Sequence, residues 1–107
     1  MSPFTMKVIE IIQAIPPGRV TTYGRIAEMA GNRRGARQVV RILHTHTRKY
    51  NLPWFRVINS KGEIAFQDEI YRQEQIACLR EDGVEVDDDG RVDLEKYLWQ
   101  AEVPHKA

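Results

Sequence analysis

The chain has 107 residues, a formal net charge of +1 and 42% hydrophobic side chains, which supports one domain over residues 1–107 and leaves little room for a separate catalytic domain. No stretch approaches the roughly 20 apolar residues needed to cross a bilayer. Cys78 is the only cysteine, which excludes an internal disulfide, and three scattered histidines, His44, His46 and His105, make no metal constellation, so neither metal nor cofactor is expected. The segment Met1–Lys7 lacks a basic run followed by a signal-peptide core, which favours a cytoplasmic location.

Phe4, Met6, Val8, Ile9, Ile12 and Ile15 predict a short amphipathic helix, and Pro16-Pro17-Gly18 must stop it because proline cannot continue the helical ladder. Thr21-Thr22 then leads into Tyr23–Ala30, whose apolar positions suit the first helix of a helix-turn-helix unit. Gly31-Asn32 is the expected turn, since both residues tolerate backbone conformations that end a helix. In the helix that follows, Arg34, Arg37 and Arg41 fall within about 60° of one another at 100° per residue, with Gln38 beside them. Ala36, Val39, Val40 and Leu43 lie opposite and form the packing side.

His44–Asn51 reads as a connection. Arg56–Asn59 and Glu63–Phe66 read as two short strands around a Ser60-Lys61-Gly62 turn, a small β hairpin or wing. Residues 68–82 favour another helix, packed through Ile70, Ile76, Ala77 and Leu79 and ended by Gly83. An acidic turn, Asp87-Asp88-Asp89-Gly90, precedes a last short element around Leu94–Trp99. The sum is a mainly α, winged helix-turn-helix-like fold.

The small net charge conceals a strong asymmetry. Met29–Gly62 carries eight Lys or Arg residues and no Asp or Glu, whereas Glu81–Glu95 carries eight acidic residues against Arg91 alone. Such segregation attracts a polyanion to one face and turns the rest of the molecule away from it. Charge runs also describe plain solvated surface, and a basic amphipathic helix can cover an acidic partner. The position of this helix directly after a short helix and a Gly-Asn turn favours DNA. A small winged helix-turn-helix transcription regulator fits these features as they stand.

Four segments carry a more specific resemblance. They are Ile15-Pro16-Pro17-Gly18-Arg19-Val20-Thr21-Thr22-Tyr23-Gly24 followed by Ile26-Ala27; Arg34-Gly35-Ala36-Arg37-Gln38-Val39; Pro53-Trp54-Phe55-Arg56-Val57; and the C-terminal pattern Arg72-Gln73 through Leu79, Glu81–Gly83, Asp93-Leu94, Tyr97 and Trp99. In order and spacing they resemble the O6-alkylguanine-DNA alkyltransferases, and among these the alkyltransferase-like proteins, over nearly the whole chain. The family's reactive segment is Pro-Cys-His-Arg-Val. Here Trp54 stands where the nucleophilic cysteine would be and Phe55 where the activating histidine would be, so nucleophile and base are both gone.

The resemblance implies the fold of the alkyltransferase C-terminal domain and a set of residue roles. Tyr23 matches a tyrosine beside the phosphate of the flipped nucleotide, and Arg37 matches the arginine that fills the vacated base stack. Arg34 and Arg41 are less specific and suit phosphate attraction. Trp54 becomes the lesion-contacting residue in place of the nucleophile, although an isolated tryptophan equally suits a core. Arg56, placed with the lesion site, corresponds to the motif arginine and is expected to brace the site loop, with Phe55 packing under it. Glu81 approximately matches a glutamate that orients the family histidine, a role lost with Phe55. Cys78 lies away from the site loop and reads as a small hydrophobe rather than a relocated acceptor.

The implied function is therefore binding without reaction. The chain would bind double-stranded DNA containing O6-alkylguanine through the minor groove, as a monomer, extrude the damaged nucleotide and mark it for nucleotide-excision-repair proteins.

Overall fold

The first helix is set by its own start signal. Ser2 caps α1 (Pro3–Ala14) by accepting a hydrogen bond from the Thr5 N–H, and Pro3 occupies the first turn, where a missing N–H costs nothing. The computed structural model describes residues 1–101. α1 buries Val8, Ile9, Ile11 and Ile12, while Met6, expected on the same stripe, is exposed. Thr21-Thr22 forms β1, and Thr22 then caps α2 (Tyr23–Met29) by accepting from the Arg25 N–H.

The expected Gly-Asn turn closes α2. Gly31 donates to the Glu28 carbonyl and Asn32 to the Ala27 carbonyl, a pairing that needs the left-handed backbone Gly31 adopts at φ 98°. The next helix, α3 (Ala36–Tyr50), differs from expectation at both ends. Arg34 stands in the preceding turn, its N–H held by the Asn32 side chain, and the stretch read as a connection from His44 is helical to Tyr50. The polar composition of that stretch hides the helix. Thr47 satisfies its hydroxyl on the Leu43 carbonyl, and Arg48 and Lys49 in the last turn face the negative end of the helix dipole. Val40, expected on the packing side, is also exposed.

A 3₁₀ turn at Trp54–Arg56 leads into β2 (Val57–Ile58). The sheet is two-stranded, but its ladder is parallel and joins β2 to β1, Thr21 opposite Val57 and Thr22 opposite Ile58. The expected hairpin contributes its turn: Asn59 N–H donates to the Glu63 carbonyl, and the Asn59 side chain accepts from Lys61 and Glu63. Glu63–Phe66 does not pair with residues 56–59 as a second strand. Its backbone is engaged elsewhere, because Ile64 donates to the Gly90 carbonyl and Val92 to the Gly62 carbonyl.

Asp68 caps α4 (Glu69–Glu81) by accepting from Ile70 and Tyr71, and Gly83 ends it as expected. Ile76 and Leu79 pack inward, whereas Ile70 and Ala77 face outward and Gln75 is buried in their stead. After α5 (Leu94–Tyr97) the chain returns to the start of β1, with Val20 donating to the Tyr97 carbonyl and accepting from Trp99. The core falls into two clusters. One is built by α1, α2 and α3 with Leu52 and Val57, the other by Val20, Ile58, α4 and the 84–97 segment. No described helix is long and apolar enough to cross a membrane.

Candidate nucleic-acid interface

The α2–α3 pair packs through Ile26, Ala27, Val39, Ile42 and Leu43, which turns the opposite side of α3 to solvent. Arg37 and Arg41 stand exposed on that side, and Arg34 is exposed in the turn that leads into it. His44 and Arg48 continue the stripe at helical spacing, also exposed. Arg48 is the cation that sequence reasoning missed, because the helix was expected to have ended before it.

Where this stripe reaches the 3₁₀ turn, an open groove of about 1190 Å³ separates the C-terminal half of α3 from the site loop and α4. Tyr23 from α2 and Trp54 and Arg56 from the 3₁₀ turn line it, three expected residues brought together from two elements. Arg34, Arg37 and Arg41 stand outside the lining, on the exposed surface beside it. Tyr23 packs against the first core cluster, and burial pushes its phenol pKa up, so it is a neutral hydroxyl that can donate as well as accept. Trp54 is half-buried and meets Phe55 and Phe66 edge-to-face, with centroids 6.0 and 5.7 Å away. Phe66 and Tyr71 also line the groove and were not read as site residues. The available signal was Tyr71 followed by Glu74 in the next turn, an aromatic on a polar side of its helix.

The loop that carries Trp54 is held from behind. Arg56 grips Asp82 with both Nε and Nη2, at 2.7 and 3.1 Å, and its Nη1 donates to the Ile15 carbonyl at 3.1 Å. Both side chains are largely buried, at 14% and 12% exposure. The Arg56 guanidinium also lies 5.0 Å over the Phe55 ring. From α4 the Gln75 amide donates to the Phe55 and Val57 carbonyls at 3.0 and 3.1 Å. Arg56 is thus committed to scaffold contacts at the base of the groove. The carboxylate that meets it is Asp82, while Glu81 is exposed.

Nothing in the groove replaces the missing nucleophile. No cysteine lines it, and Cys78 is half-buried on α4, where burial and the carboxylates of Glu74, Glu81 and Asp82 push its thiol pKa up. A raised pKa suppresses the thiolate that alkyl transfer requires. Among the described residues no three His, Cys, Asp or Glu side chains converge as metal ligands; His105 lies outside them.

Comparison with known proteins agrees with this geometry. Residues 3–84 match the family described as 6-O-methylguanine DNA methyltransferase, DNA binding domain. The chain is 43% identical to a DNA base-flipping protein of Vibrio parahaemolyticus over 101 residues, covering 94% of this chain and 99% of that one. A DNA base-flipping protein of Escherichia coli is 42% identical over 96 residues, covering 90% of this chain and 74% of the other. Among solved structures, the Schizosaccharomyces pombe alkyltransferase-like protein in complex with damaged DNA containing O6-carboxymethylguanine superposes with a TM-score of 0.84 at 36% identity, covering 94% of this chain and 98% of that one.

Proposed function

Because the chain belongs to the 6-O-methylguanine DNA methyltransferase DNA-binding-domain family, as one of its alkyltransferase-like members, we propose that it recognises O6-alkylguanine in duplex DNA by turning the damaged nucleotide out of the helix and leaves the alkyl group in place. The observation that carries this reading is the site loop itself. Arg56 fixed on Asp82 and Gln75 on the loop carbonyls hold the loop in place, and the position that matches the family's nucleophile holds Trp54, with Phe55 beside it. An indole offers a flat apolar surface to a purine and no thiolate to its alkyl carbon.

The family resemblance, together with these positions, supports the following roles for the interface residues. Arg34, Arg41 and Arg48 attract phosphates along the exposed side of α3, and Arg37 enters the stack as the nucleotide leaves. Tyr23 bears on the backbone of the extruded nucleotide at the groove margin, Trp54 contacts the displaced guanine, and Arg56 positions the loop. Unstacking costs a few kcal/mol, which these contacts must offset. As the lesion survives, a persistent complex of one protein molecule with damaged DNA serves to recruit nucleotide-excision-repair proteins in the cytoplasm of the cell.

Matched duplexes with and without O6-methylguanine test this, followed by mass analysis of DNA and protein. The expected result is selective binding with the methyl group still on guanine. Methyl mass on Cys78 would instead make the chain a transferase. Equal affinity for both duplexes defeats lesion recognition, and preference for one undamaged sequence would support a transcription regulator.

A further inference from the structure

The basic stripe of α3 contains one member whose charge is conditional. At 100° per residue His44 falls within about 60° of Arg37, Arg41 and Arg48, and it stands about 5 Å along the axis from Arg41 and about 6 Å from Arg48. Its side chain is exposed and lines the open groove. Facing it across that groove are Tyr23 from α2, Arg56 from the 3₁₀ turn, and Tyr71 and Glu74 from α4, while α1 supplies the uncharged Gln13. Arg56 is committed to Asp82, and among the described residues no carboxylate, Glu74 included, lies within ion-pairing distance of His44. The imidazole is therefore open to an external anion. His46 differs: it is turned to the other side of the helix, half-buried, with its ring 5.9 Å from that of Tyr50.

From this we infer that His44 is a DNA phosphate contact that forms only when its imidazole is protonated, so that this chain holds DNA more tightly as pH falls through the neutral range. The inference rests on the DNA-facing role proposed above for α3 and couples that role to a proton. Arginine stays charged throughout the range, whereas imidazole is the side chain that ordinarily changes charge between about pH 5 and 8. A phosphate drawn against Arg41 and Arg48 favours the charged ring, which donates from both nitrogens, over the neutral ring, which donates from one. The contribution is complete in acid and disappears as pH rises past the point at which the bound ring loses its proton. For an exposed pair it amounts to about threefold in affinity, and more at low salt.

The test measures affinity for matched duplexes carrying guanine or O6-methylguanine at pH 6 and pH 8 in low salt, with circular dichroism to verify that each variant is folded. The unsubstituted protein should bind both duplexes about threefold more tightly at pH 6, with a log–log salt slope steeper by up to about 0.9 than at pH 8. His44→Gln should bind at both pH values as the unsubstituted protein does at pH 8. His44→Lys should bind at both as the unsubstituted protein does at pH 6, because its charge is permanent, a rescue that a packing role would not give. His46→Gln should keep the full pH dependence. A pH effect that survives in His44→Gln overturns the inference, as does pH-independent affinity of the unsubstituted protein; with the methyl-over-guanine preference intact, either result leaves lesion recognition standing. A pH effect carried by His44 without any methyl-over-guanine preference would support the contact and remove lesion recognition. Absence of DNA binding at both pH values would overturn the two together.

Discussion

The role proposed for a single side chain separates attraction from extrusion. Arg37 is one of several exposed cations on α3, but its proposed place in the vacated stack gives it a second task. Arg37→Ala should lower extrusion about tenfold, read by a fluorescent base analogue beside the lesion, and lower low-salt binding far less. An equal loss in both would make it an ordinary phosphate contact. At Trp54 the two informative changes point in different directions. Trp54→Ala should reduce discrimination for alkylated guanine about tenfold, as expected for removing a base-stacking aromatic. Trp54→Cys should still fail to transfer the alkyl group quickly, because Phe55 cannot help ionise the new thiol. Rapid transfer by that variant would show that the histidine position is dispensable. Cys78 offers a pH test. Its raised pKa keeps it as the thiol, so alkylation by iodoacetamide at pH 7.5 should be slower than for an unstructured cysteine peptide and should rise only above the ordinary cysteine range. Glu74→Gln and Glu81→Gln should each speed it at fixed pH.

At the level of elements, the loop frame depends on one ion pair reaching from the 3₁₀ turn to the end of α4. Arg56→Ala leaves Asp82 largely buried without its partner, and a loss of about 2–4 kcal/mol in urea unfolding is expected. Arg56→Lys should recover part of it, since an ammonium cannot reproduce the two-point grip. Glu81→Gln, one residue away and exposed, should change stability by less than about 0.5 kcal/mol. Sequence alone assigned Arg56 a bracing role but no partner, because tertiary packing and not motif spacing decides which of two adjacent acids points inward. The same limit explains the other misreadings. Start and stop signals such as Pro16-Pro17, Gly31-Asn32 and Gly83 are local, and the elements they bound are where the sequence places them. The extension of α3 through polar His44–Tyr50, the inward turn of Gln75 and the pairing of β2 with β1 each depend on a distant neighbour. Tyr23, Trp54 and Arg56 were legible through motif spacing, whereas Phe66 and Tyr71 belong to no motif and become visible once the groove is assembled.

Across the whole molecule, charge follows the two core clusters. The basic helix α3 builds on the first, and the acidic segment 81–95 packs Val84, Val86 and Val92 into the second. Association with undamaged DNA should therefore weaken with salt at a log–log slope of roughly −3 to −4, about 0.9 for each phosphate met by Arg34, Arg37, Arg41 and Arg48. Alanine at any one of them should reduce the slope by about 1, while Asp88→Asn should leave it unchanged. A slope insensitive to these arginines would place the DNA elsewhere. The contacts that set the site loop also impose an order in time. Translation delivers α1, α2 and α3 before the site loop, and the contacts between α2 and α3 are local in the chain. The loop waits for Gln75 and Asp82, and the Val20 strand position waits for Tyr97 and Trp99, near the end of the described chain. On the proposed reading, a nascent chain thus carries the helix that attracts DNA before the groove proposed to read damage is assembled, and discrimination is acquired later in synthesis than attraction.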